Sequence, residues 1–538
     1  FLFGLFILPI TSLWSQNSSQ KPKLVVSIVV DQMRYDYINK FSEKFTKGGF
    51  NRIIANGFSC ENNYLNYVPT NTGPGHATIY TGTTPSNHGI LNNFWYDINL
   101  EKTVYCVSDS SVEPVGTGYK TGRSSPKRLL VNTIGDVNRQ ETAMKGKTIS
   151  ISIKDRAAVL SGGHTANAAY WFVGKTQGHW ISSSYYMEKL PRWVHSFNDS
   201  NRLGKYMKEW KPLFPIESYT QSGPDNRPFE RGFRGKKTPT FPYNLASLSI
   251  YNGGFDILKS TPFGNSYTLD FALAALKAVN LGRDVYTDFL LISLSSSDYI
   301  GHNFGVNSKE VQDTYLRLDR DLEKFINALD AQLGHGKYTL VLTSDHGATE
   351  NPNYLIENGH SGGYFKEATF KIELKDHVFK QYGTTNIIKN ISGNQVYLNK
   401  SLIVSMGLKI SDMEDMIQRF ILDQPQIETA ITRTQFLNQK FTSGLELFMQ
   451  NGFHLDRSGD IVYSLKPSVI VYAETGSDHG SGYFYDIHVP LLFYGFGIAK
   501  GSTTKLTSSI DIVPTLAALL GLPLSNETMG TSISEVLK

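Results

Sequence analysis

Leu24-Val-Val-Ser-Ile-Val-Val30 runs directly into Asp31, and two later stretches repeat the design. Phe289-Leu-Leu-Ile-Ser-Leu294 passes through three serines to Asp298, and Tyr338-Thr-Leu-Val-Leu-Thr343 passes through Ser344 to Asp345-His346-Gly347. Near-continuous apolar runs of this length suit strands buried on both faces, as in a parallel sheet covered by helices. Helical spacing lies between them. Residues 308–333 open on a serine and precede the Asp345 strand, residues 268–279 precede the Asp298 strand, and 509–520 end at Gly521 and Pro523. The expected fold is α/β, a three-layer sandwich around a central, mostly parallel sheet.

Two stretches interrupt the alternation. Residues 180–251, rich in Tyr, Pro, Gly and Trp, read as an inserted lid. Residues from 368 read as a compact α+β cap, with short strands at 370–374, 395–398 and 461–465 around a helix at 410–422. The core is therefore expected at 21–367 and again at 476–538, with the cap at 368–475. No repeat or low-complexity run appears.

Composition narrows the function classes. With 40% hydrophobic and 19% charged residues, the 538-residue chain is expected to be folded. A formal net charge of +4 gives no reason to expect a nucleic-acid partner, which usually meets a clustered basic face. The apolar run 1–14, turning polar at Gln16, reads as the remnant of a signal peptide ending near residue 15. It is shorter than the roughly 20 residues of a spanning helix. Export to the periplasm or medium, without stable membrane insertion, is the expectation. In such a compartment the two cysteines, Cys60 and Cys106, are expected to pair.

Open α/β sheets place ligands beyond the carboxyl ends of their strands. Acidic residues at three such ends make a site hypothesis, and histidines accompany them. Asp298 and His302 lie four apart and would face one way on a helical turn. Asp345-His346 adds a second pair, and Gly476-Ser-Asp-His479-Gly-Ser-Gly sets a third imidazole in a glycine-rich turn. With Asp31, these three carboxylates and three imidazoles suit two zinc ions. A second constellation is Thr72-Gly-Pro-Gly-His, whose proline marks a first helical turn. Threonine there could be a plain N-cap; beside a two-metal ligand set, its hydroxyl becomes a candidate nucleophile. The third is Lys147-Thr-Ile-Ser-Ile-Ser-Ile-Lys-Asp-Arg156, read as a strand with Lys154 and Arg156 on one face. Two adjacent cations suit a doubly charged phosphate between them.

These segments resemble the alkaline phosphatase superfamily, most closely its single-chain PafA-like bacterial phosphatases. The resemblance rests on VVDQMRYDY, the Thr72 segment, GILNNFWYD, SIKDRAA, SSSDYIGH, TSDHGA, GSDHGSGYFYDIHVPLLFYG and DIVPTLAALLGLP, in order along the chain. It implies one zinc on Asp298, His302 and His479, and another on Asp31, Asp345 and His346 with Thr72. It further implies that Asn93, Lys154 and Arg156 bind phosphoryl oxygens while Thr72 attacks to form a phosphothreonine. The substrates it implies are small-molecule phosphate monoesters, and the enzyme is expected to be a monomer. A nucleotide pyrophosphatase/phosphodiesterase shares fold, metals and threonine, but Lys154 and Arg156 argue for a monoester. A sulfatase would need a modified Cys or Ser, and a phosphoglycerate-mutase-like enzyme fits poorly with export. A phosphate-binding protein on a decayed scaffold would be expected to have lost a ligand or the nucleophile. His360, in Glu357-Asn-Gly-His, receives no role.

Overall fold

The computed structural model describes residues 21–175 and 177–538; the expected signal peptide lies outside the described residues. One ten-stranded sheet dominates. Its strands are β1 (Leu24–Val30), β2 (Phe58–Tyr64), β3 (Pro114–Val115), β4 (Thr148–Ser152), β5 (Ala168–Val173), β6 (His179–Ser183), β7 (Asp288–Leu294), β8 (Tyr338–Thr343), β9 (Leu491–Gly495) and β10 (Gly501–Ser508). They lie in the order β10-β2-β9-β8-β1-β7-β4-β5-β6-β3. The five central strands, β8-β1-β7-β4-β5, are mutually parallel, and antiparallel pairings flank them.

Every residue of β1 is buried, which explains its unbroken apolar run. Leu24, Val26, Ile28 and Val30 join the core under the helices Pro262–Ala278 and Lys309–Leu333. Val25 and Val29 join a second core with Ile79, Tyr80, Ile512 and Leu516. Alternate residues thus feed two faces, and the expected three-layer sandwich results. Ser308 caps the long helix by accepting from the Val311 amide at 3.1 Å. The terminal helix Ile512–Leu520 ends on Gly521 in the left-handed conformation.

Three expectations need correction. Residues 370–374 are not a strand: they lie in the helix Glu367–Tyr382, where Phe370, Leu374 and Val378 bury one face at a spacing of four. Trp180, placed at the start of the lid, lies in β6 within the main sheet. Cys60 and Cys106 are free and buried in separate apolar clusters. Beyond β6, residues up to 251 form short elements bound to the core by Asp313, which accepts from Trp210, Leu213 and Tyr219. Further along, an antiparallel sheet of Ile388–Ser392, Gln395–Leu398, Ile461–Leu465 and Ile427–Thr432 packs with the helices Glu367–Tyr382 and Ile410–Leu422 around its own core.

Candidate two-metal active site

Parallel pairing brings the carboxyl ends of β1, β7, β8 and β4 to one edge, because Val29 is in register with Ser293 and Thr343, and Ser293 with Ser152. Asp31, Asp298, Asp345 and Lys154 follow these strands within a few residues. Two triads result. Ligand atoms of Asp298, His302 and His479 lie within 4.8 Å of one another, as do those of Asp31, Asp345 and His346. Asp298 and His302 share one face of the helix Ser296–Phe304, as their spacing suggested, with His302 Nε2 3.2 Å from Asp298 Oδ1. The triads abut through the stacked rings of His346 and His479, 3.6 Å apart at their centroids.

All three imidazoles are oriented alike. Nδ1 of His302 lies 2.7 Å from the Ser477 carbonyl, that of His346 3.0 Å from Gly347, and that of His479 2.9 Å from Thr70. A proton on each Nδ1 donates to the carbonyl and leaves the Nε2 lone pair facing the carboxylates. His346 Nε2 and Asp31 Oδ1 are buried without a hydrogen bond. Inward-facing imidazole nitrogens, carboxylate oxygens and unsatisfied buried acceptors fit zinc on each triad. The glycines give the ligand loops room. A Cβ on Gly75 would stand 2.7 Å from Asp345 Cβ, and one on Gly476, at φ +80°, 1.9 Å from the His302 carbonyl oxygen.

Electrostatics reflect crowding. Burial and the charge of Asp345 push the Asp31 carboxyl up. Burial would do the same to Asp298, but Lys154 and His302 hold it well below the usual carboxylate range. Burial disfavours charged His302, yet Asp298 outweighs it and raises the imidazole to about 9. His479, buried beside His346, falls to about 3.

Thr72 is the first residue of the helix Thr72–Thr81, and Asn71 takes the N-cap position, so the plain capping role falls away. The Thr72 hydroxyl oxygen accepts from Lys154 Nζ at 3.2 Å and from Arg156 Nη2 at 3.3 Å. Lys154 Nζ also lies 2.7 Å from Asp31 and 2.6 Å from Asp298. The expected strand face for Lys154 and Arg156 is corrected: β4 stops at Ser152, Lys154 is an N-cap, and Arg156 sits in the first turn of the helix Asp155–Gly162. The turn still directs both cations at Thr72. Asn93 is fixed by the Gly73 amide, which donates to its Oδ1 at 2.8 Å and leaves Nδ2 as the donor.

Sequence reading missed three supports. Gln32, at φ +64°, donates from Nε2 to Asp298 and from its amide to Asp345. His76 sits 2.9 Å from the Thr72 carbonyl, 3.3 Å from Asp345 and 2.9 Å from Ser293. Tyr105 contacts Arg156. Their signals were adjacency to Asp31 for Gln32 and the i, i+4 step from Thr72 for His76; Tyr105 had none. His360 lines a separate cavity of about 350 Å³ with Arg34 and Glu350, outside both triads.

The type I phosphodiesterase / nucleotide pyrophosphatase family model matches residues 25–485. A Myroides odoratus protein named calcium-transporting ATPase is 41% identical over 524 residues, covering 96% of this chain and 95% of that one. Alkaline phosphatase PhoV of Synechococcus elongatus is 41% identical over 519 residues, covering 96% and 93%. A crystal structure of alkaline phosphatase PafA superposes with a TM-score of 0.93 at 38% identity, covering 97% of this chain and all of the other.

Proposed function

The chain belongs to the type I phosphodiesterase / nucleotide pyrophosphatase family within the alkaline phosphatase superfamily, and from this we propose that it is an alkaline phosphatase whose Thr72 attacks phosphate monoesters at a two-zinc site. The observation that carries the reading is the surroundings of Thr72. Its hydroxyl lies beside two metal-ligating triads and accepts from two cations, Lys154 and Arg156. Among the described residues, the Arg156 side chain hydrogen-bonds only Thr72 and Tyr105, and its Nε is buried without a partner. A guanidinium without a carboxylate partner suits an incoming anion.

Asp298, His302 and His479 would hold one zinc, and Asp31, Asp345 and His346, with Thr72, the other. When bound, the ions would stabilise charge on the attacking and leaving oxygens and lower the pKa of the attacking hydroxyl and water. The rest falls to the chain. Contacts from Lys154 and Arg156 favour the Thr72 alkoxide. In-line attack forms a phosphothreonine and expels the alcohol, and water then releases inorganic phosphate. Lys154, Arg156 and Asn93 Nδ2 hold the non-bridging oxygens throughout, and their charge is matched to a dianion.

The diesterase reading stands second, because a diester carries one charge fewer and leaves that cationic match unused. No described helix is long and apolar enough to cross a membrane, and the transport in the Myroides odoratus relative's name forms no part of the reading. We also propose export, supported by the apolar run 1–14.

The test compares kcat/KM of zinc-loaded protein for an aryl phosphate monoester and a matched diester, before and after EDTA. Monoester preference that vanishes on chelation and returns with zinc is expected. Diester preference would shift the protein to the phosphodiesterase branch, and metal-independent turnover would sink the two-zinc site.

A further inference from the structure

Arg156 follows Asp155 directly in the chain, yet the two side chains form no ion pair; Tyr105 stands between them. The Tyr105 hydroxyl donates to Asp155 Oδ1, and its oxygen accepts from Arg156 Nη1 at 3.5 Å. Phenol has one proton to give, so donation to the carboxylate leaves its lone pairs to the guanidinium. Asp155 is otherwise engaged by its neighbours: Oδ1 accepts from the Arg156 amide at 2.8 Å and Oδ2 from Ser124 Oγ at 3.2 Å.

Tyr105 is itself held by the phosphate-binding apparatus. It ends the hairpin Phe94–Asp97/Lys102–Tyr105, is in register with Phe94, and packs its ring 4.8 Å from the Phe94 ring. The amide of Cys106 donates to the Asn93 carbonyl at 3.0 Å. One hairpin therefore fixes both Asn93 and Tyr105. Without the phenol, a freed carboxylate would compete for the guanidinium of the next residue, and the charge-assisted pair would draw it off Thr72.

We infer that Tyr105 is a positioning residue that keeps Arg156 on the phosphoryl oxygens by occupying the Asp155 carboxylate. The inference rests on the proposed monoesterase reading. It assigns Tyr105 no contact with substrate.

The test is a set of zinc-loaded variants assayed with an aryl monoester, a matched diester and inorganic phosphate as inhibitor. Tyr105→Phe keeps the ring against Phe94. It is expected to lower monoester kcat/KM roughly tenfold and weaken phosphate inhibition similarly, while diester turnover changes by less than about twofold. Asp155→Asn added to Tyr105→Phe removes the competing charge and should restore most of the loss. In an Arg156→Ala background, Tyr105→Phe should cost nothing further. Equal losses on both esters, a full loss persisting without Arg156, or no rescue by Asp155→Asn would each overturn the inference. Failure of the underlying reading would show separately, as a wild type without monoester preference or an Arg156→Ala variant without effect.

Discussion

The Arg156 guanidinium and the Lys154 ammonium both reach the Thr72 hydroxyl, but only Lys154 is balanced by carboxylates, Asp31 and Asp298. Arg156→Ala therefore leaves the triads and their charge balance in place. It is expected to lower monoester kcat/KM by about ten- to a hundredfold and diester turnover far less, in steady-state assays of the zinc-loaded protein. Equal effects on both esters would remove Arg156 from dianion recognition. At this scale the metal-ligand candidates were legible because carboxylates and imidazoles at strand ends serve few other purposes. The geometry of Lys154 and Arg156 was not: a period of two in Thr148-Ile-Ser-Ile-Ser152 says where a strand lies but not where it ends. Tyr105 stayed hidden because its role depends on a contact 51 residues away.

Among elements, the stretch after β6 is docked by buried acids on the helix Lys309–Leu333. Asp313 is fully paired, accepting from Trp210, Leu213, Tyr219 and Arg317. Glu310 accepts from Tyr243 through one oxygen only, and both oxygens of Glu230 lack a partner although Glu230 is buried. Burial, with Glu310 added for Glu230, pushes both carboxyls far above the ordinary value of 4.5, although Arg227 acts the other way on Glu230 and the Tyr243 hydrogen bond on Glu310. The folded chain thus holds protons that the unfolded chain has released. The stability these two carboxyls contribute therefore falls as pH rises from 4.5 into the alkaline range. Glu230→Gln removes one such proton site, so its Tm should decline less than that of wild type between pH 6 and pH 9 in parallel thermal melts; matching slopes would contradict this. The sequence concealed the arrangement because short elements with weak periodicity reveal no partners. It misled at Phe370-Lys-Ile-Glu-Leu374, where alternation mimics a strand while spacing of four buries a helix face.

For the whole molecule, the parallel centre of the sheet does the assembling: four strands in register bring residues more than 300 positions apart to one edge. This was legible early, since strands buried on both faces admit few arrangements. The antiparallel strand beside it was not, because β9 carries no mark of direction. The cost of the design is a core holding Asp31 and Asp345 together, both wholly buried. Metal binding should therefore stabilise the fold, by about 2.7 kcal/mol for each site when free metal is a hundredfold above its Kd. EDTA treatment should lower Tm measurably and zinc should restore it; an unchanged Tm would mean that the triads do not hold a metal in the folded protein.

The central claim, covalent catalysis by Thr72, is tested most directly by acid-quenching zinc-loaded enzyme during turnover of an aryl monoester and mapping phosphorylated peptides by mass spectrometry. The expected result is a single phosphoryl group on Thr72, absent from Thr72→Ala and from EDTA-treated protein. A phosphoryl group on another residue, or one on Thr72 that persists after chelation, would contradict the account.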